Sequence, residues 1–95
     1  MSKYARRRDA NHSIIVSHFK QLGAAVMDLS DAGQGRPDVF VHRAGVWYPV
    51  EIKTAKGTLT AAQKDFMQWC EMNSIKYYVV RDIADVMKVL DVTAF

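Results

Sequence analysis

Two acids and one lysine stand inside apolar, strand-like runs of this 95-residue chain. Asp38 opens one run, and Glu51 and Lys53 alternate with Val50 and Ile52 in the next. Burying a charged group is costly unless it has a partner, so charges in such runs indicate a site that uses them. Paired carboxylates suit Mg²⁺, and a neighbouring ammonium can stabilise hydroxide or contact a phosphate. We therefore predict a metal-binding and catalytic centre in this stretch.

Strand geometry should bring these three side chains together. Residues two apart share one face of a strand, so Glu51 and Lys53 point one way while the apolar residues between them face a core. A hairpin turn at 42–45 would pair the two runs antiparallel and place Asp38 at the same open end. The alternatives are that Asp38 is only a turn or cap residue, and that Glu51 and Lys53 belong to an exposed strand face.

The surrounding elements follow from hydrophobic periodicity and capping residues. The predicted elements are helices at 9–23, 59–72 and 82–90 and strands at 24–29, 37–41, 46–53 and 75–80. Thr60 and Gln63 match a capping box at the start of the second helix, and Gln63 is as well suited to a role in the site. The order α-β-β-β-α-β-α predicts a single α/β domain with a mixed sheet flanked by helices.

Residues around the first helix carry narrower expectations. Asp9 or Asn11 would cap its start. His12 and His18 would lie at the surface or half-buried rather than serve as ligands.

Other expectations concern a proline and two tryptophans. Pro49 implies an edge or bulge position in its strand. Trp47 and Trp69 would lie in the core or at a dimer interface rather than stack on bases.

Composition limits the class of protein. The formal net charge of +3 is compatible with a polyanionic partner. A single cysteine, Cys70, excludes an intrachain disulfide and a thiolate zinc cluster, and we expect this thiol to be buried. No apolar run of ~18 residues is present, and no apolar segment follows the basic N-terminus. We therefore expect a cytoplasmic protein and no membrane span.

Basic residues offer candidate contacts to a phosphate backbone. The N-terminal arm at 1–8 carries Arg6, Arg7 and Arg8, which would either follow DNA or form a solvated terminus. Arg36 and Lys56 flank the predicted centre and admit the same two interpretations.

A longer pattern extends over the centre and the second helix. It reads Gly35-x-Pro37-Asp38, then Val50-Glu51-Ile52-Lys53-Thr54, then Leu59-Thr60-x-x-Gln63 with Phe66 following. This pattern, with Arg8-Asp9-Ala10-Asn11 before the first helix, resembles the VRR-NUC family of the PD-(D/E)XK nuclease superfamily. The resemblance covers residues 1–95 and is to the small stand-alone type found in phages and bacteria.

That resemblance implies a restriction-endonuclease-like PD-(D/E)XK core and a Mg²⁺- or Mn²⁺-dependent DNA endonuclease. Stand-alone members resemble homodimers that cut branched DNA such as Holliday junctions. By the family pattern, Asp38 and Glu51 would bind the metal together with the backbone carbonyl of Ile52. Lys53 would orient and polarise the attacking water, and Gln63 would support the site. The expected location is then the cytoplasm of a bacterium or a phage-infected host.

One departure concerns the first helix. Relatives often carry a glutamate in its first turn, whereas this chain has Asn11-His12-Ser13-Ile14 there. Either the metal site has fewer acids, or Asn11 or His12 substitutes, or activity is reduced. The alternative function is therefore a DNA-binding module with weak or no catalysis; a protein–protein adaptor that uses an apolar surface near Trp47 is a third.

Overall fold

The computed structural model describes residues 11–91, so Asp9 and the basic arm with Arg6, Arg7 and Arg8 lie outside the described residues. The elements are α1 His12–Gln21, β1 Ala25–Asp28, β2 Val39–Arg43, β3 Val46–Ile52, α2 Ala61–Met72, β4 Tyr78–Val80 and α3 Ile83–Leu90. The predicted order of helices and strands is confirmed. No helix within residues 11–91 is long and apolar enough to cross a membrane.

The sheet has the order β1-β2-β3-β4. The first three strands are antiparallel, and β3 pairs with β4 in parallel, which confirms the predicted mixed sheet. The β2–β3 hairpin closes through Ala44 and Gly45, whose φ angles are 54° and 83°. Two successive positive φ angles are typical of the tight turn that matches strand twist.

The core lies on one face of the sheet, beneath α1 and α3. Inward-facing strand residues alternate with outward-facing ones, as the period of two requires. The core residues are Ile15, Phe19, Ala24, Val39, Val41, Val50, Ile52, Val80, Val86, Val89 and Leu90. This confirms that Val50 and Ile52 face the core, and it leaves Glu51 on the opposite face, where α2 lies.

Pro49 occupies the position expected of a proline in a strand. It pairs with Phe40 of β2, but the β4 ladder begins only at the next residue, with Val50 opposite Tyr78. The N–H of Lys53 bonds toward β4, and the direction alternates along a strand, so the nitrogen of Pro49 also faces the β4 side, where no residue is paired at this level. This agrees with the predicted local edge.

The N-terminus of α2 contains the predicted capping box. The Thr60 hydroxyl accepts the N–H of Gln63, and the Gln63 Oε1 atom accepts the N–H of Thr60 at 2.8 Å. Further along α2, Cys70 is buried as expected, and burial raises the pKa of its thiol.

The start of β4 was predicted wrongly, because the strand begins at Tyr78 rather than at residue 75. Ser74 has a φ of 60°, and the N–H of Ile75 donates to the carbonyl of Cys70 at 2.8 Å. This is the hydrogen bond of a Schellman motif, in which a residue beyond the helix satisfies one of its last carbonyls. Ile75 therefore ends α2 instead of starting a strand. The remaining boundaries agree with expectation or differ by up to three residues, as at the ends of α1, β1 and β2.

Burial of the tryptophans and of one histidine also differs from part of the expectation. Trp47 and Trp69 are each 53% exposed, so neither is a core residue, and the dimer-interface alternative stays a prediction. His12 is buried at 5% exposure, whereas His18 is half-buried as expected. Trp47 contacts Phe40 and the His42 ring at centroid distances of 6.1 and 4.8 Å, on the sheet face away from the core.

Gly35 joins the loop before β2 to the first turn of α2. Its φ is +76°, and a Cβ atom there would overlap the backbone carbonyl of Ala62. We expect Gly35→Ala to lower the free energy of unfolding by more than the roughly 1–2 kcal/mol that a left-handed conformation costs a non-glycine residue. Urea denaturation measures the loss.

Gly45→Ala is the matched control for that substitution. Gly45 has a φ of +83°, but nothing lies within 4 Å of the added Cβ atom. Gly45→Ala therefore introduces the left-handed backbone strain without a steric overlap of the added Cβ atom. Equal losses in the two variants would show that the contact between the loop and α2 is not tight.

Candidate metal and catalytic centre

Asp38 and Glu51 meet where the β2–β3 ladder ends. The last ladder pair is Val39 with Val50, so the next residue on each strand lies on the face opposite the core. Asp38 Oδ2 accepts the backbone N–H of Ile52 at 2.8 Å, which holds its carboxylate against β3. In this position the Asp38 carboxyl group is within hydrogen-bonding reach of the Glu51 carboxyl group.

The Glu51 side chain is buried and held at both oxygens. The residue is 2% exposed. Gln63 Nε2 donates to its Oε2 atom at 2.9 Å, and the Tyr77 hydroxyl donates to its Oε1 atom at 3.5 Å. Burial and the neighbouring Asp38 carboxyl group raise the pKa of Glu51 to about 8, although Lys53 and Tyr77 act in the opposite direction. Without a cation, Glu51 therefore retains a proton near neutral pH.

This raised pKa predicts a pH-dependent stability in the metal-free protein. Below pH 4.5 Glu51 is protonated in both states, whereas between 4.5 and about 8 only the unfolded chain ionises it readily. The free energy of unfolding should fall across that window by up to about 1.4 kcal/mol per pH unit, and this contribution should level off above it. Denaturation in EDTA at several pH values measures the slope. A Glu51→Gln variant with the same slope would contradict the assignment.

Lys53 completes the charged group. Its Nζ atom lies 3.8 Å from Glu51 Oε2, and its side chain is 14% exposed. The backbone is fixed on two sides, since Lys53 N–H donates to the carbonyl of Val80 and its own carbonyl accepts from Asn11. The following loop is held by Arg81, which donates to the carbonyls at 54 and 57. These contacts fix the backbone from which the Lys53 side chain extends toward Glu51.

The Ile52 carbonyl lies on the same side of β3 as Asp38. Its own N–H bonds to Asp38, and the N–H and C=O groups of one residue in an extended strand point the same way. The next residue, Lys53, bonds instead toward β4. Two carboxylates and one carbonyl oxygen are therefore grouped at the end of β2 and β3.

Gln63 serves two neighbours at once. Its Oε1 atom caps α2 by accepting from Thr60, and its Nε2 atom donates to Glu51. The structure thus brings Asp38, Glu51, Lys53 and Gln63 into one cluster. The metal-binding and catalytic roles that the sequence indicated for them stay predictions.

The first turn of α1 contributes no acid to this cluster. Asn11 is the N-cap residue, but its side chain makes no capping bond. Its Nδ2 atom instead donates to the carbonyls of Lys53 at 2.9 Å and Arg81 at 2.6 Å. His12 lines a cavity with Val39, a core-facing residue, and so lies on the other side of the sheet. Neither residue brings a carboxylate to the cluster, and the substitution of Asn11 or His12 for an acid stays a prediction.

Among residues 11–91, no three His, Cys, Asp or Glu side chains are grouped to hold a metal ion. The available set is two carboxylates and a backbone carbonyl. This set fits Mg²⁺ or Mn²⁺, because magnesium prefers hard oxygen ligands and keeps several water molecules. The raised pKa of Glu51 agrees with that fit, since its cause includes the adjacent Asp38 carboxyl group and a cation can relieve the same crowding.

Tyr77 is the residue that the sequence reading missed. It contacts Glu51 and packs edge-on against Phe66 at 5.9 Å. Burial and the Glu51 charge raise the pKa of its hydroxyl, so it remains a hydrogen-bond donor. The alternation of side chains along β4 could have indicated this contact. Val79 lies opposite Glu51, and Tyr77, two residues earlier, shares that face.

The candidate phosphate contacts within the described residues are exposed. Arg36 lies 5.8 Å from the centre of the Phe66 ring and donates to Gln34 at 3.4 Å. Lys56 is exposed in the loop that follows Lys53. Both side chains are exposed to solvent and so accessible to a ligand.

Comparison with known proteins bears on the fold. Neither protein-family models nor curated proteins match the sequence. A solved structure described as a "VRR_NUC domain" superposes with a TM-score of 0.69, covering 84% of this chain and 89% of that chain at 24% identity. The chain has the VRR_NUC fold. This match confirms, at the level of the fold, the predicted mixed sheet flanked by helices.

Proposed function

We propose that this protein is a metal-dependent nuclease that hydrolyses phosphodiester bonds in DNA. The observation that carries the proposal is the buried Glu51 carboxylate beside Asp38, with the Lys53 ammonium 3.8 Å away, on a VRR_NUC fold. Structural ion pairs are seldom built from two adjacent acids and one lysine, because the second carboxylate raises the cost of burial. A site that takes up a cation resolves that conflict.

In this proposal Asp38, Glu51 and the Ile52 carbonyl hold Mg²⁺ or Mn²⁺. When bound, the ion supplies a positive charge that neutralises the phosphate and lowers the pKa of coordinated water. Mg²⁺ needs few protein ligands, so the three oxygen donors suffice. Glu51 must release its proton on loading, which makes binding tighter at higher pH.

The side chains around the carboxylates have distinct parts in this proposal. Lys53 places its ammonium where a phosphate oxygen or the attacking water can accept a hydrogen bond. Gln63 and Tyr77 fix the rotamer of Glu51 through one hydrogen bond to each oxygen. Asn11 fixes the backbone at Lys53 from α1. Such supporting contacts keep catalytic groups within the narrow range of geometry that a reaction needs.

A cleavage panel tests the proposal. Linear duplex, single strand, flap and four-way junction DNA are each incubated with Mg²⁺, with Mn²⁺ and with EDTA. We expect cleavage with either metal and none in EDTA, and the branched substrates should be cut fastest. Failure to cut any substrate with either metal would refute the nuclease.

A second candidate is a DNA-binding module without useful catalysis. It is favoured by the first turn of α1, where Asn11 and His12 supply no acid to the cluster. This candidate predicts DNA binding that weakens steeply with salt while every substrate in the panel stays intact.

Cutting a four-way junction symmetrically requires two sites. One centre cuts one strand, so a two-fold homodimer would match the symmetry of the junction. We therefore propose a homodimer that acts on branched DNA in the cytoplasm of a bacterial or phage-infected cell. Light scattering at micromolar protein gives the oligomeric state, and a monomer would argue against the junction-resolving version.

A further inference from the structure

Two aromatic rings continue along α2 from the carboxylate cluster. Phe66 and Trp69 are stacked, with ring centroids 5.7 Å apart and planes inclined by 24°. Phe66 is half-buried and packs edge-to-face against the Tyr77 ring. Trp69 is 53% exposed and presents its ring to solvent. We call Phe66 and Trp69 the aromatic platform.

A cation stands beside this platform. Arg36, Phe66 and Trp69 line one open cavity of about 360 Å³. The Arg36 guanidinium lies 5.8 Å from the Phe66 ring centre, and its backbone N–H donates to the carbonyl of Gly33 at 3.0 Å. The preceding residue, Gly35, packs directly on the first turn of α2. These contacts of the loop backbone hold Arg36 where its guanidinium lies next to the aromatic rings.

The platform lies within reach of a strand held at the carboxylates. Gln63 contacts Glu51, and Phe66 and Trp69 follow three and six residues later on the same helix. At a rise of about 1.5 Å per residue, the two rings lie about 4.5 and 9 Å further along the helix axis. Stacked nucleotides are spaced by about 3.4 Å, so this is a distance of one to three nucleotides.

We propose that Arg36, Phe66 and Trp69 form a subsite for an unpaired nucleotide next to the phosphate that is cut. The base stacks on the exposed Trp69 ring, and Arg36 pairs with a backbone phosphate. Exposed aromatic side chains bind unpaired bases without regard to sequence, because every base has a flat face to offer. Bases inside a duplex are already stacked and cannot use the platform. This inference rests on the proposed nuclease function and narrows its substrate to DNA with unpaired nucleotides.

Tryptophan fluorescence in EDTA tests contact without cleavage. The chain has two tryptophans, and both are 53% exposed, so each serves as the control for the other. Trp47→Phe leaves Trp69 as the reporter, and Trp69→Phe leaves Trp47. We expect a 12-nucleotide oligothymidylate to quench Trp69 and to leave Trp47 unchanged. No quenching of Trp69, or equal quenching of both, would overturn the subsite.

Affinity separates stacking from charge. Trp69→Ala should weaken binding of the oligothymidylate about 5- to 150-fold, whereas Trp69→Phe retains most of the affinity and Trp47→Ala all of it. Arg36→Gln should reduce the slope of log K against log salt by about 0.7. Binding of a blunt duplex should be unchanged in Trp69→Ala. A loss of affinity that is equal for duplex and single strand would overturn the proposal.

The same variants distinguish this subsite from the nuclease itself. If wild-type protein cuts nothing but its binding depends on Trp69, the nuclease fails and the subsite stands. If it cuts flaps and single strands as fast with Trp69→Ala as with Trp47→Ala, the subsite fails and the nuclease stands. A dimer that Trp69→Ala converts to a monomer in light scattering would assign the platform to an interface between copies, and that also overturns the subsite.

Discussion

Lys53→Met is expected to lower the rate of DNA cleavage about 100- to 10,000-fold at saturating Mg²⁺, the range typical of a lost proton-transfer or charge-stabilising group. Methionine keeps the apolar stem that packs against the neighbouring loop but removes the ammonium that lies 3.8 Å from Glu51. The fold should survive, because the backbone bonds of residue 53 to Val80 and Asn11 do not involve the side chain. Single-turnover cleavage of a flap or junction measures the rate.

Lys88→Met is the control for this substitution. It makes the same chemical change at an exposed lysine on α3, which packs on the other face of the sheet. We expect cleavage at the wild-type rate. Activity in Lys53→Met that equals that of the control at every metal concentration would remove Lys53 from the mechanism.

Glu51→Gln is expected to abolish both cleavage and the rise in melting temperature that Mg²⁺ or Mn²⁺ produces in the wild type. A ligand that binds only the folded chain stabilises it, so loss of one of two carboxylates should remove most of that gain. At pH 8 the metal-free variant should nonetheless melt at a higher temperature than the wild type. The added stability arises because a neutral side chain occupies a buried position beside Asp38.

The glutamine is expected to reproduce the protonated form of Glu51. Its carbonyl oxygen can accept from Gln63 as Glu51 Oε2 does, and its amide can donate to Asp38 where a carboxyl proton would. Glu71→Gln is the matched control, since Glu71 is an exposed carboxylate on α2. Calorimetry at pH 5 and pH 8, with and without metal, separates the effects. A metal-dependent stabilisation that survives in Glu51→Gln would place the ion elsewhere.

Local rules were sufficient to predict the centre of the fold. Alternation around Glu51 placed that residue and Lys53 opposite the core, and the short turn set the register that brings Asp38 to them. Thr60 and Gln63 marked the start of α2 by their own side-chain chemistry. These features depend on neighbours within a few residues, so the sequence alone defines them.

Contacts between distant segments could not be read in the same way. Ile75 is a β-branched residue of the kind common in strands. The left-handed conformation of Ser74 instead makes Ile75 part of the C-terminal cap of α2. Burial of His12 depends on how α1 lies on the sheet. Tyr77 reaches Glu51 only because β4 runs parallel to β3. Packing decided the first two outcomes, whereas the face on which Tyr77 lies follows from the alternation of β4.

The exposed tryptophans illustrate a different difficulty. Large aromatic residues favour burial, and the sequence analysis expects Trp69 in the core or at a dimer interface. In the structure α2 turns Phe66 and Cys70 inward and leaves Trp69 at its flank. Because helix rotation is set by the inward residues, an aromatic side chain a few positions away is exposed whatever its own preference.

The Asn11 side chain joins three parts of the chain that are far apart in sequence. It spans 42 residues to the carbonyl of Lys53 and 70 residues to that of Arg81. Contacts of this range form slowly and only once most of the chain is available. A nascent polypeptide on the ribosome therefore cannot assemble the centre until β4 has emerged and docked beside β3. Incomplete chains and truncated translation products would therefore lack the hydrogen bonds that Asn11 and Val80 make with the Lys53 backbone.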